Sequence, residues 1–295
     1  MKVLVTGAAS SFAQALLPAL CASPAVESVT GIDSLAPRYA HAKLRVCTLD
    51  IRDPALPPML AGHDALIHLA CVAASANLST NVMFDLNVRA AHKLFHAARD
   101  SGVTRFIHLS SALVYGPAIH ASENAPLRPP PRLRYAEHQA QLEQMLAIEF
   151  PECVRLRPHV IVGPHAHAIV KKVLRQPFYL KLPEPQPLMQ CVHEDDVARA
   201  VLSCLENDAR GAFNLAIEES VTLREAIRAC HFVSAGLPVG TARAGLAWAA
   251  RALRWDYDEA WLDCLSHTLL VNSRRAIVEL GWRSRYSARE ALRST

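Results

Sequence analysis

The run Val5-Thr6-Gly7-Ala8-Ala9-Ser10-Ser11-Phe12-Ala13 could hold a phosphate. An apolar strand that ends in small residues and opens a helix presents unsatisfied backbone N–H groups to an anion. The glycine fingerprint of dinucleotide turns permits a tight bend and close backbone approach to a pyrophosphate. Here Gly7 alone keeps it, with Ser10 and Ala13 at the other two glycine positions. Both are small, so the approach is narrowed rather than blocked; an ordinary βα turn is the competing reading. Asp33 closes a second strand about twenty-five residues after that glycine, where a carboxylate can accept both ribose hydroxyls of an adenosine and repel a 2′-phosphate. That favours NAD, while Arg38 close by keeps NADP open. A solvated aspartate at a strand end is the plain alternative.

Other side chains suggest chemistry that their spacing does not sustain. His159, His165 and His167 invite a metal, but they fit no zinc pattern and no C-x-x-C pair accompanies them. No metal is expected. Arg157, Arg175 and Lys181, with Lys171-Lys172, could contact the diphosphate of a nucleotide sugar or form a solvated basic face, and the face is the preferred reading. The apolar residues from Leu246 through Trp255, within the run Leu246–Trp261, either line a lipid-like substrate pocket or pack as a helix into a small domain.

The elements that must position the turn and the acid form an alternation. Lys2–Thr6 reads as a strand and about Ser11–Cys21 as a helix; Val26–Ile32, Leu44–Leu49, Ala65–Leu69 and Arg105–Leu109 read as further strands. Met83, Leu86, Asn87, Ala90, Ala91, Leu94 and Ala98 recur at three- and four-residue steps, giving a long helical stretch that Ser101-Gly102 terminates. Such an alternation packs as a doubly wound parallel sheet with helices on both faces and ligands at the carboxyl ends of its strands. Pro126–Pro131 marks a loop before a helix starting near Leu133. Beyond Val154–Arg157 the pattern loosens, and Gly163–Gln190, with prolines at 164, 177, 183, 185 and 187, reads as largely loop. The expected organisation is α/β: a Rossmann-type dinucleotide-binding domain over residues 1–160. Residues 161–295 form mainly a smaller, interleaved substrate-binding part, with some segments returning to the first.

Of 295 residues, 51% are hydrophobic and 20% charged, enough for one large core or two smaller ones. A net charge of +4 without a long basic run disfavours nucleic acid or an anionic membrane as partner. Of the eight cysteines, Cys71, Cys191, Cys204 and Cys230 stand among apolar neighbours, as buried thiols in a reducing compartment do. Lys2 and the apolar residues to Cys21 imitate a signal peptide, but Thr6-Gly7 interrupts them and bulky Leu20 stands where cleavage wants a small residue. No stretch approaches the roughly 18 apolar residues that span a bilayer. The expectation is a cytoplasmic protein acting on a small molecule.

Ser110-Ser111-Ala112-Leu113-Val114-Tyr115-Gly116 follows the fifth strand, and Tyr135-Ala136-Glu137-His138-Gln139 falls in the next helix. With these segments the chain resembles the extended short-chain dehydrogenase/reductase family, the NAD-dependent epimerase/dehydratase group. Further segments carry the resemblance along nearly the whole chain: His68-Leu69-Ala70, Asn87-Val88, Leu156-Arg157-Pro158, Gly163-Pro164, Val192 to Val197, Phe213-Asn214-Leu215, and Ser273 to Trp282. The resemblance implies an NAD(P)-dependent oxidoreductase or nucleotide-sugar epimerase/dehydratase that moves hydride between nicotinamide and a substrate alcohol or carbonyl. It implies Gly7, Ser10, Ser11 and Phe12 around the pyrophosphate, Asp33 at the adenosine ribose, and Asp50 and Ile51 beside the adenine. Ala70, Cys71 and Asn87 approach the nicotinamide half, with Pro158 and His159 nearby. Ser111 then hydrogen-bonds the substrate oxygen, and Tyr135 gives or takes its proton. A homodimer through the helix after the fourth strand and the tyrosine-bearing helix is also implied.

Gln139 departs from the family's pattern, which has lysine four residues after the tyrosine, on the same helix face. That ammonium group holds the nicotinamide ribose and favours the phenolate by Coulomb attraction. Glutamine can hydrogen-bond the ribose but carries no charge. Without a cation a phenol has a pKa of about 10, so about one part in a thousand is ionised at neutral pH. Alcohol oxidation, which needs a base, suffers most; carbonyl reduction, where neutral Tyr135 is the acid, suffers less. Arg132, Arg134 and His138 are the nearby candidates to compensate. The alternative from a different class is a catalytically impaired NAD(P)-binding sensor or scaffold.

Overall fold

Seven short apolar runs pair side by side, all in parallel. The computed structural model describes residues 1–73, 78–176, 178–182, 184–231, 234–238, 240 and 259–295. The sheet is built from β1 (Lys2–Thr6), β2 (Ser28–Asp33), β3 (Leu44–Thr48), β4 (Ala65–His68), β5 (Arg105–Leu109), β6 (Val154–Pro158) and β7 (Gly211–Leu215). Their order is β7-β6-β5-β4-β1-β2-β3. Strand order reverses at β1 and β4, and the crevice above their carboxyl ends is where such sheets take ligands.

Period-two alternation divides each strand between two cores. Val3 and Val5 face α1 (Ala13–Ala22), with Leu16, Leu17 and Leu20 packed on them. Leu4 faces the other way, toward Leu94 and Phe95 of α2 (Ala91–Asp100) and Leu142 and Leu146 of α3 (Arg134–Glu149). Covered on both faces, β1 reads as an almost unbroken apolar run. Each fully buried aliphatic side chain contributes roughly 1.5–3 kcal/mol.

Several elements differ from their sequence reading. β2 starts at Ser28 and runs to Asp33, while β3 and β4 each stop one residue short of the expected end. The helical stretch runs from Thr80 to Asp100 but is not one α-helix, because Asp85–Ala90 widens into a π-helical segment. Three- and four-residue periodicity cannot register such an insertion. Gly163–Gln190 is not largely loop: it holds α4 (Ala168–Arg175) and strands at Phe178–Lys181 and Leu188–Met189. Its prolines fall outside 168–175, and the His167 side chain accepts from Ile169 N at 3.3 Å to start that helix. Proline there punctuates structure instead of abolishing it.

After α4 the chain enters α5 (Glu194–Glu206), which packs Val197 and Val201 against the α1 side of the sheet, and then lays down β7 at the sheet edge. Cys191 and Cys204 are buried as expected, whereas Cys71 and Cys230 are only half-buried. Residues Leu246 to Trp255 lie outside the described residues. Among the described residues no helix is long and apolar enough to cross a membrane.

Candidate active site

Gly7 leaves β1 at φ +75°, and a Cβ there would stand 2.5 Å from Ala70 N. Only glycine lets the exit of β1 lie against the exit of β4. Gly7 N and Ala8 N donate to Ile32 O at 2.9 and 3.2 Å, and Ala9 N donates to Asp33 Oδ2 at 2.9 Å. The first turn and the end of β2 are therefore held together. Ser10 Oγ accepts from Ala13 N at 3.3 Å. Ser11 N and Phe12 N precede α1 and donate to no acceptor among the described residues, which is the state a phosphate requires. The Phe12 ring is packed in the core, so its contribution to the turn is backbone alone.

A groove of about 300 Å³ runs above this turn, lined by Gly7, Ser10, Asp33, Asp50, Ile51, Ala70, Cys71 and Asn87. The Asp50 carboxylate is held below its ordinary pKa by hydrogen bonds from Arg52 at 2.9 and 2.7 Å. Asn87 sits in the π-helical segment, where Oδ1 accepts from Val72 N at 2.8 Å and Nδ2 donates to Val72 O at 2.9 Å. It thereby fixes the backbone that follows β4. Pro158 ends β6 and does not line the groove. His159 accepts from Val160 N at 2.8 Å and donates through Nε2 to Leu269 O at 3.0 Å. Burial drops its pKa to about 4, so it is neutral. It lines a second cavity of about 490 Å³, along with Leu113 and Trp261.

Ser111 caps a 3₁₀ turn, its Oγ accepting from Leu113 N at 3.2 Å. Arg132, at φ 69° the less favourable left-handed conformation for a non-glycine residue, turns the proline-rich loop into α3, whose second residue is Tyr135. The Tyr135 hydroxyl faces the side chains of Ser111 and Gln139. Its ring stacks on Trp261 at 5.9 Å. Burial first, and Cys71 second, push the phenol pKa well above its ordinary value; Ser111 and Gln139 offset only part of this. Arg132 and Arg134 are exposed. His138 faces Asn87 Nδ2 at 3.3 Å and burial lowers its pKa. None of the three replaces the missing ammonium charge.

Gln139 is 3% exposed and bound on both sides. Its Oε1 accepts from His108 Nε2 at 2.8 Å, and its Nε2 reaches Cys71 Sγ at 3.4 Å. Burial takes the pKa of His108 to about 4 and of His68 to about 3. A neutral His108 with its proton on Nε2 turns the amide oxygen of Gln139 toward β5 and its NH₂ toward Tyr135 and Cys71. His68 and His108 are register partners on β4 and β5 and stack at 5.6 Å. His68 Nδ1 meets Thr6 Oγ1 at 2.7 Å.

One helical turn after Gln139, Glu143 is buried with Arg157. Arg157 is not on a solvated face. Its Nε donates to Glu143 Oε1 and Oε2 at 3.0 and 2.9 Å, and its Nη1 to Tyr115 Oη at 2.6 Å. Ser110 Oγ also donates to Glu143, and Tyr115 Oη to Asn214 Oδ1 at 2.8 Å. Burial disfavours the guanidinium charge, but Glu143 outweighs it and raises the pKa. A desolvated cation with an excellent partner is retained where a lone one is not. Arg175, Lys172 and Lys181 are exposed. The three histidines weighed as metal ligands go to separate partners: His165 to Glu194 at 2.7 Å, His167 to Ile169 N and His159 to Leu269 O.

The model of the NAD dependent epimerase/dehydratase family matches residues 3–216. The chain belongs to that family. An uncharacterised protein of Mycobacterium tuberculosis is 25% identical over 313 residues, covering 98% of this chain and 81% of its own. MoeE5 in complex with UDP-glucuronic acid and NAD superposes with a TM-score of 0.79 at 21% identity, over 100% of this chain and 97% of that one. DesIV, a dTDP-glucose 4,6-dehydratase from Streptomyces venezuelae with NAD and TYD bound, gives 0.74 at 24% identity, over 100% and 95%. Both share the Rossmann-type α/β fold of this family member.

The sequence reading assigns no role to His68, His108 or Glu143. A signal for the first two was present: Ala65–Leu69 and Arg105–Leu109 read ALIHL and RFIHL, with histidine at the same place. Adjacent parallel strands in register put those rings side by side. Glu143 gave no signal, since a glutamate on a helix is ordinarily solvated.

Proposed function

We propose that the chain is an NAD-dependent oxidoreductase or nucleotide-sugar epimerase/dehydratase that interconverts an alcohol and a carbonyl. The observation that carries this is the meeting of Ser111, Tyr135 and Gln139 beside the groove that Gly7 and Asp33 line. The family, the left-handed Gly7, the unspent N–H groups of Ser11 and Phe12, and an acid at the end of β2 all support NAD as cofactor. NAD, when bound, supplies or accepts the hydride at the substrate carbon.

The protein's own groups handle the oxygen and its proton. Ser111 Oγ–H donates to the substrate oxygen, and Tyr135 Oη hands its proton to that oxygen as a carbonyl is reduced. The phenolate left behind accepts from the Gln139 amide until solvent returns a proton; oxidation runs the same steps backward. Gly7, Ser10, Ser11 and Phe12 hold the pyrophosphate, Asp33 the adenosine ribose, and Asp50 and Ile51 the adenine. Ala70, Cys71 and Asn87 would approach the nicotinamide half, with Pro158 and His159 nearby. Residues 161–295 supply most of the substrate-binding part, and the 490 Å³ cavity beside Trp261 is its pocket. The substrate is a nucleotide sugar or another hydroxy or keto compound.

Calorimetry with NAD⁺, NADH and their 2′-phosphorylated counterparts tests the cofactor: tighter binding of NAD(H) is expected. Stronger binding of NADP(H) would remove Asp33 from the ribose. A substrate screen with Tyr135→Phe as control tests the chemistry.

A further inference from the structure

We propose that His92, His96 and Glu149 form a Zn²⁺ site on the outer side of α2 and α3, sharing no residue with the dinucleotide groove. His92 and His96 are four residues apart on α2, so their rings stand on one face. Glu149 ends α3, and its neighbour Phe150 is fully buried, with the His96 ring edge-on to it at 5.0 Å. The three side chains are thus anchored from below and are 23%, 35% and 36% exposed in the single chain.

Their donor atoms converge on one point. Glu149 oxygens lie 3.0 Å from His92 Nε2 and 2.7 Å from His96 Nε2, and the two nitrogens are 3.3 Å apart. Two imidazole nitrogens on a tetrahedral zinc, each about 2.0–2.1 Å from the ion, stand about 3.3 Å from one another. The nitrogens therefore already have the spacing that the ion imposes. Two imidazoles and one carboxylate suit a borderline-soft divalent ion, with a fourth position left for water.

One neighbour opposes the ion. Arg99 Nη2 donates to His96 Nδ1 at 3.0 Å, while its Nη1 donates to Glu149 O at 3.1 Å. An arginine is only a donor, so it selects the His96 tautomer with its proton on Nε2, the atom that must bind zinc. Zinc ligation moves that proton to Nδ1, which then faces a second donor. A ligating histidine ordinarily gives its other N–H to an acceptor. Arg99 must therefore swing away, and removing it strengthens the site.

The test is calorimetry with Zn²⁺ on tag-free, chelator-treated full-length protein, with visible spectra after Co²⁺ addition. The expected result is one equivalent bound, with a tetrahedral Co²⁺ spectrum. Both are lost in His92→Gln/His96→Gln, whose fold is checked by circular dichroism. Arg99→Gln, whose amide oxygen can accept from Nδ1–H, tightens zinc by on the order of tenfold to a hundredfold. Absence of binding, stoichiometric binding that survives the double substitution, or weaker binding in Arg99→Gln each overturns the proposal. The Arg99→Gln arm keeps all three ligands, so it decides the matter even if the double variant misfolds.

Discussion

With Cys71, Ser111 and Gln139 around its hydroxyl and no cation among the described residues to favour the anion, Tyr135 stays a neutral phenol at neutral pH. A raised phenol pKa makes the residue a standing acid and a scarce base. Carbonyl reduction by the wild-type enzyme should be nearly independent of pH between about 6 and 9, whereas alcohol oxidation should climb about tenfold per pH unit over that range. A plateau of the oxidation rate near neutrality would show that a cation does reach the phenol. Gln139→Lys should shift the oxidation limb to lower pH, because a positive charge lowers the phenol pKa. His108 can receive the ammonium by moving its proton to Nδ1, which has no hydrogen-bond partner among the described residues. Tyr135→Phe should cost on the order of 10²–10⁴ in turnover while NAD affinity, read by calorimetry, stays within a few-fold. Much of this candidate site is legible in the sequence, because Gly7, Asp33, Ser111 and Tyr135 are each of the type that the family resemblance assigns to their places, and Gln139 stands out as the departure from it. Arg157 is not legible, because a charged side chain gives no sign of whether a partner will meet it in the interior.

Elements were legible wherever a single period governed them. Lys2–Thr6 and Arg105–Leu109 have the ends read from sequence, since apolar runs bounded by polar residues define buried strands. The π-helical segment and the elements among the prolines were not, because both depend on packing that no local pattern encodes. The βα turn is the element most exposed to a single change. Gly7→Ala would put a Cβ 2.5 Å from Ala70 N and 2.7 Å from Leu69 C on a backbone at φ +75°. The left-handed conformation alone costs roughly 1–2 kcal/mol, and the contact forces β1 and β4 apart beneath the pyrophosphate. The expected outcome is a lower melting temperature with NAD binding lost; unaltered NAD affinity would place the cofactor elsewhere.

At the scale of the molecule, the Glu143–Arg157–Tyr115–Asn214 chain ties α3, β6 and β7 together, and Asn214 extends it by donating to Ala121 O at 3.0 Å and Asn272 O at 3.2 Å. Arg157→Met leaves the buried Glu143 carboxylate with only the Ser110 hydroxyl and Arg155, whose Nε is 3.8 Å away, and should cost about 3 kcal/mol in denaturant unfolding. Acid sensitivity follows from the buried histidines. His68, His108 and His159 protonate near 6.5 in the unfolded chain, but only at about 3, 4 and 4 when folded. Between those values the unfolded state binds more protons, so stability is fully present above about pH 7 and falls as pH drops from about 6.5 toward 4. With three such groups the slope reaches at most roughly 4 kcal/mol per pH unit. Denaturant midpoints compared at about pH 7 and about pH 5 should show the loss, and equal midpoints would mean that these rings ionise freely.

The edge position of β7 also bears on how the protein is made. During synthesis every other strand of the main sheet leaves the ribosome before Gly211, so for some fifty residues after Pro158 the outer rim of β6 has no neighbour. An unpaired strand rim invites pairing with another nascent chain. Only when Gly211–Leu215 emerges is that rim sealed and Tyr115 given its Asn214 acceptor, so a ribosome stalled before this point would hold a sticky, unfinished sheet.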